Sequence, residues 1–93
     1  MLALAALAGT PVRAPAGGRV AFAGRVPGSA GAAWRGFGTV VVLAHGDRTR
    51  TLFGYLGSTR VRRGQAVRRG ETLGTVGANR FSPTPQLHYG VWR

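Results

Sequence analysis

The closing stretch Gln86-Leu87-His88-Tyr89-Gly90-Val91 has the frame of a metal-handling strand. Side chains alternate faces along an extended strand, so Gln86 and His88 project into one space while Leu87, Tyr89 and Val91 turn to the other. Two imidazoles at that i, i+2 spacing would let one bind zinc while the other polarises a bound water. Here the first position holds an amide, which neither takes up a proton near neutral pH nor readily binds zinc. The spacing predicts a catalytic strand with one of its two working groups replaced.

The elements that must position this strand are short and extended. The chain has 93 residues, of which 44% are apolar, with 16 glycines and five prolines spread throughout. That length suits one domain, residues 1–93, with a single core. The glycine and proline spacing predicts many tight turns between strands, and the helical i, i+3, i+4 pattern is found only in the opening Met1–Ala8, so the class is all-β. Arg19-Val20-Ala21-Phe22-Ala23-Gly24 reads as a strand with Val20 and Phe22 inward, and residues 26–36 read as a loop at a hairpin tip. Thr39-Val40-Val41-Val42-Leu43-Ala44 is the most hydrophobic run and fits a strand buried on both faces. The turn His45-Gly46-Asp47 and the returning strand Arg50–Leu56 complete an antiparallel hairpin. An internal repeat follows, Val61-Arg62-Arg63-Gly64-Gln65-Ala66 and Val67-Arg68-Arg69-Gly70-Glu71-Thr72, each unit placing one apolar residue inward and a glycine at a turn. Residues 72–77 and 86–92 are the last strands.

Thirteen basic residues stand against Asp47 and Glu71, for a formal charge of +11, and every one of the thirteen is arginine. A field of that sign attracts polyanions: nucleic acid, anionic lipid or acidic wall polymer. The absence of cysteine rules out a disulfide framework and a thiolate metal site. Met1–Ala8 looks like the apolar part of a signal peptide, yet it has no preceding basic region and runs into a strand, so it is read as part of the fold. No apolar run reaches the ~20 residues that span a bilayer.

Four segments, in order, resemble the LytM/lysostaphin-type zinc peptidases. They are Gly9-Thr10-Pro11-Val12 with Ala14–Val20, then Val40–Gly46 with Thr51–Leu56, then Val61–Gly70 with Leu73–Gly77, and lastly Gln86-Leu87-His88-Tyr89. The resemblance covers nearly the whole chain. It implies an antiparallel β-sheet or sandwich of the duplicated hybrid motif type, with a groove across it, and a place in the cell envelope. In that family a His-x-x-x-Asp pair before the Gly-Thr-Pro-Val segment supplies two zinc ligands. By the resemblance the aspartate position falls on Ala3, and the histidine position falls before Met1, so the domain is expected to be N-terminally incomplete. The hairpin histidine falls on Tyr55 and the first histidine of the closing pair on Gln86. His88 alone matches a metal ligand, and His45 matches a structural His-Gly turn.

A catalytic zinc needs about three protein ligands and an open position. The resemblance therefore implies a degenerate peptidase domain with no catalytic residue, His88 as a relic ligand and no cofactor. Its expected role is binding peptidoglycan peptides or a cell-envelope protein, or regulating wall hydrolysis, through a groove lined by Tyr55, Gln86, His88 and Trp34. Arg62, Arg63, Arg68 and Arg69 are expected to bind anions. Two other readings stand beside it. One is an active zinc endopeptidase cutting peptidoglycan cross-links. The other is a basic β-domain that binds nucleic acid or another polyanion. Trp34, Arg35 and Phe37 could stack on sugars or bases, or Trp34 could close the core as a lid. The Val-x-x-Gly-Gln-x-Val-x-x-Gly pattern also occurs in biotinyl and lipoyl carriers, but those need a lysine and this chain has none.

Overall fold

The computed structural model describes residues 2–5, 7–26, 38–77 and 86–92. Among them are eight strands and no helix: β1 (Leu2–Ala5), β2 (Pro11–Arg13), β3 (Gly18–Arg25), β4 (Thr39–Ala44), β5 (Arg50–Thr59), β6 (Ala66–Val67), β7 (Thr72–Val76) and β8 (Gln86–Trp92). All pairings are antiparallel, in the order β1-β8-β5-β4-β3-β6, with β7 attached to β5 and β2 to β7. Within the opening segment Met1–Ala8, whose spacing also allows a helix, Leu2–Ala5 form strand β1. Its backbone groups are taken up by β8, a sheet pairing that overrides a weak helical pattern.

One core cluster draws on six strands, the residue after β2 and the segment before β6: Val12 and Ala14, Val20, Val41 and Leu43, Phe53 and Leu56, Val61, Val67, Leu73 and Val76. Strand β4 is buried on both faces as its composition predicted. Val41 and Leu43 join this cluster, while Val40 and Val42 are buried outside it, Val42 standing opposite the buried Leu52. Val20 is buried, but Phe22 is only half-buried. The cause is a register shift between Val20 and Phe22 in the β3–β4 pair. An extra residue there breaks the period of two, and Ala23 packs on the core in its place. The loop after Val26 is closed by the Val26 N–H donating to the Gly38 carbonyl (2.9 Å). The loop residues themselves, with Trp34, Arg35 and Phe37, lie outside the described residues.

Strand β5 is the axis of the sheet. One edge pairs with β4. The other is divided: residues 50–54 pair with β8, and Leu56, Ser58 and Thr59 pair with β7. The β5–β7 backbones come unusually close. A Cβ on Gly77 would sit 2.7 Å from the Gly57 nitrogen, and one on Gly74 would run into the Ser58 carbonyl oxygen. Glycine at 74 and 77 is what lets β7 close against β5.

Leu73 and Val41 are both fully buried. Leu73→Ala or Val41→Ala should cost about 2–4 kcal/mol, measured by urea unfolding. Gly74→Ala, which adds a single methyl group, should be at least as damaging as either, because the atom it meets is backbone and cannot rotate away.

Candidate functional site

The residues singled out in the closing strand are brought together with the opening strand and the middle of β5. The β1–β8 register pairs Ala3 with His88 and Ala5 with Gln86. The β5–β8 register pairs Gly54 with His88 and Phe53 with Tyr89. His88 therefore stands in a row with Ala3 on one side and Gly54 on the other, and Tyr55 follows Gly54. Directly opposed residues in antiparallel strands have Cβ atoms about 4.5–5.5 Å apart, so a substituent at position 3 would lie beside position 88. Trp34, the fourth expected groove residue, is outside the described residues.

Tyr55 is the least ordinary residue of this row. Its φ is +60°, in the left-handed region, and the only other described non-glycine residue there is Arg48 in the β4–β5 turn. The reason lies in the topology. Against β4, the register passes from Val41↔Phe53 to Thr39↔Leu56, so Gly54 and Tyr55 together oppose Val40. Against its other neighbours, β5 leaves β8 after Gly54 and joins β7 at Leu56. The Tyr55 carbonyl accepts the Gly77 N–H (2.9 Å), which begins the β7 contact. Tyr55 is thus the bulge residue at which the strand changes partner. A left-handed conformation costs a residue with a Cβ about 1–2 kcal/mol, and such strain gathers where a fold aims a side chain. The side chain is half-buried.

His45 lies elsewhere and has a different task. Its Nδ1 is 2.7 Å from the Gly17 carbonyl oxygen and its Nε2 is 2.8 Å from Thr51 Oγ1. A carbonyl can only accept, so Nδ1 carries the hydrogen and the neutral ring accepts at Nε2 from the Thr51 hydroxyl. Thr51 is buried. The ring ties the 15–17 segment to the start of β5, and the Asp47 carboxylate closes the same turn by accepting the Thr49 N–H (3.1 Å). An open pocket of about 330 Å³ lies here, with Pro15, Gly17, His45, Asp47 and Val91 in its wall. Val91 pairs with Thr51, three positions along β8 from His88. With both ring nitrogens engaged, His45 has no lone pair left for a metal.

The arginines of the repeat are all exposed. Sequence reading placed them on turns but missed two partners, Arg13 and Arg19, whose guanidiniums donate to the Gly70 carbonyl (3.2 Å) and the Gly64 carbonyl (2.6 Å). The signal was available: Arg13 and Arg19 are six residues apart, as are Gly64 and Gly70.

The chain matches the profile of peptidase family M23 over residues 2–93. It belongs to that family. Over 82 residues it is 43% identical to the cell division protein DipM of Caulobacter vibrioides, which covers 87% of this chain and 12% of DipM. Over 92 residues it is 34% identical to the murein hydrolase activator EnvC of Escherichia coli, covering 99% of this chain and 20% of EnvC. The chain thus spans a fifth or less of the length of these two relatives. Among solved structures it is similar to the catalytic domain of the antimicrobial peptidase lysostaphin from Staphylococcus simulans, with TM-score 0.82, 27% identity, and coverage of 96% of this chain and 62% of that one. The all-β antiparallel architecture is that of these M23 peptidases.

Zinc, the metal the family implies, needs about three protein ligands. Strands β1, β5 and β8, which meet around His88, carry one histidine between them and neither aspartate nor glutamate. Among the described residues, no three His, Asp or Glu side chains come together.

The strain at Tyr55 has a measurable signature. Tyr55→Gly and Tyr55→Ala both remove the ring, but only glycine is free of the left-handed penalty. The glycine variant should be the more stable by about 1 kcal/mol, the reverse of the usual order inside a strand. Equal stabilities, or alanine the more stable, in urea titrations would show that the bulge is unstrained.

Proposed function

We propose that this M23-family domain binds rather than cuts: it takes peptidoglycan peptides, or a protein of the cell envelope, in the groove around Tyr55, Gln86 and His88, without zinc and without catalysis. The observation that carries the reading is the β1–β8–β5 register. It pairs His88 with Ala3 on one side and Gly54 on the other, so the residues that oppose it across both strands carry no metal-binding group. An imidazole, an amide and a phenol do not fit a zinc centre, which takes thiolate, imidazole or carboxylate donors. Gln86 cannot act as a general base, because an amide does not gain a proton near neutral pH. The same groups are suited to recognition. An amide both donates and accepts hydrogen bonds, a phenol adds an apolar ring and a polar tip, and peptide substrates present N–H and C=O groups along their length.

Similarity to a murein hydrolase activator and to a cell division protein supports a regulatory role in the cell envelope. The activator is named for murein, which is peptidoglycan, and this supports that polymer as the one recognised. A family frame retained without its metal chemistry fits the general separation of fold from function.

The test has two arms. The purified chain should hold no stoichiometric zinc and release no fragments from peptidoglycan, while binding soluble peptidoglycan fragments. Tyr55→Ala should weaken that binding about fivefold or more, the ~1 kcal/mol that marks a contributing contact. Near one equivalent of tightly held zinc, lost in His88→Ala, together with fragment release, would establish the endopeptidase instead.

A further inference from the structure

The six-residue repeat is a repeat in three dimensions. In each copy the fourth residue of a turn closes on the first: Gln65 N–H donates to the Arg62 carbonyl (3.0 Å) and Glu71 N–H to the Arg68 carbonyl (3.0 Å). The third residues, Gly64 and Gly70, have φ of +89° and +85°, while Arg63 and Arg69 keep negative φ, which defines two type II turns. The fourth side chain then folds back. Gln65 Oε1 accepts the Arg62 N–H (3.1 Å) and Glu71 Oε1 accepts the Arg68 N–H (3.4 Å).

Each turn is fastened to an earlier segment by a reciprocal pair of backbone bonds. Val20 N–H donates to the Gln65 carbonyl (2.8 Å) and Gly64 N–H to the Val20 carbonyl (2.7 Å). Ala14 N–H donates to the Glu71 carbonyl (2.9 Å) and Gly70 N–H to the Ala14 carbonyl (2.7 Å). Arg19 and Arg13 complete the correspondence by holding the two glycine carbonyls. Beneath, Val61 and Val67 anchor the turns in the core. The four turn arginines remain exposed, and none of their guanidiniums hydrogen-bonds or pairs with a carboxylate among the described residues.

We propose that these two turns form a two-pronged site for a linear phosphate-bearing polyanion, with Arg62 and Arg63 gripping one phosphate group and Arg68 and Arg69 another. Guanidinium forks match phosphate oxygens bidentately, and two forks on a rigid turn bring two positive charges to one tetrahedral anion. The backbone that displays them is already fixed, so ordering costs fall on the side chains alone. The chemistry of the turns selects among polyanions. They hold no aromatic residue on which bases could stack, as single-stranded nucleic acid binders do, and no exposed apolar side chain to enter a bilayer. The prongs are also unequal. The first has neutral Gln65 where the second has Glu71, so the Arg62–Arg63 turn carries the stronger positive field.

The experiment titrates the chain with inorganic polyphosphate, orthophosphate, polyglutamate of equal charge, and vesicles containing phosphatidylglycerol, at physiological salt. Polyphosphate should bind far more tightly than orthophosphate, because the second prong binds at high effective concentration. It should also bind more tightly than polyglutamate or the vesicles. The paired change Arg62→Ala with Arg63→Ala should lower polyphosphate affinity about tenfold, and Arg68→Ala with Arg69→Ala about threefold. Glu71→Gln should raise affinity and bring the second pair's effect up to the first. Unchanged urea midpoints would confirm that the turns, whose bonds are backbone, still form. Tyr55→Ala should leave polyphosphate binding untouched, which separates this site from the peptide groove. Equal binding of polyglutamate, preference for vesicles, or equal losses from the two arginine pairs with no effect of Glu71→Gln would overturn the proposal.

Discussion

The structure turns on one strand that has to serve two neighbours along a single edge. β5 gives its first half to β8 and its second half to β7, and the exchange takes place at Tyr55. Without the left-handed turn at that residue, the strand would continue straight and one of the two partners would lose its hydrogen bonds. Each buried backbone group left unpaired would cost more than the strain of a positive φ. The bulge is therefore the cheaper solution, and its location decides where the β1–β8 layer ends and the β7–β2 layer begins. It also sets Tyr55 immediately beside the Gly54 position that faces His88. The feature that shapes the sheet is the same one that assembles the candidate groove.

The two halves are held by different means. On the β7 side, small residues let backbones approach, with Gly57 and Gly77 in near contact, and Ser58 and Thr75 add a side-chain hydrogen bond of 2.8 Å. Close backbone approach leaves no room for a Cβ at Gly74 or Gly77, while Leu56, Leu73 and Val76 of the same strands supply the core. Around the β4–β5 turn, the ring of His45 bridges Gly17 and Thr51. Long-range ties of this kind matter in a small all-β domain, whose strands come together only at the cost of closing large loops.

None of these interactions involves a metal ligand. The M23 frame rests on valine and leucine packing, on glycine-permitted contacts and on turns clamped by reciprocal hydrogen bonds. A sequence can lose its ligand positions and keep all three. That independence is the physical basis for reading the groove as a recognition surface, and the arginine turns as a separate one. The residues of the proposed groove are aligned by the β1–β8–β5 register, whereas the turns depend on Ala14 and Val20 in a different part of the sheet.

Much was legible in the residues alone. Strand periodicity, the valine run of β4 and the glycine punctuation of the repeat pointed to an all-β domain, and the order of motifs resembled one family. These signals are local, because alternation and turn chemistry act over a few residues and need no partner to be recognised. The identity of the groups at positions 3, 55, 86 and 88 was equally plain. The tertiary structure decided what lies next to what. Only strand pairing sets Ala3 and Gly54 beside His88, because register is fixed by the whole sheet rather than by either strand. Phe22 departs from its expected inward position for the same reason, since a bulge shifts the faces without marking the sequence. The left-handed Tyr55 was invisible because tyrosine has no preference for that conformation, and a change of neighbours imposed it. The clamps from Arg13 and Arg19 reach across 57 and 45 residues of chain. Their six-residue echo of the repeat could be read from the sequence, but that they meet its turns could not, since folding alone brings such distant segments together.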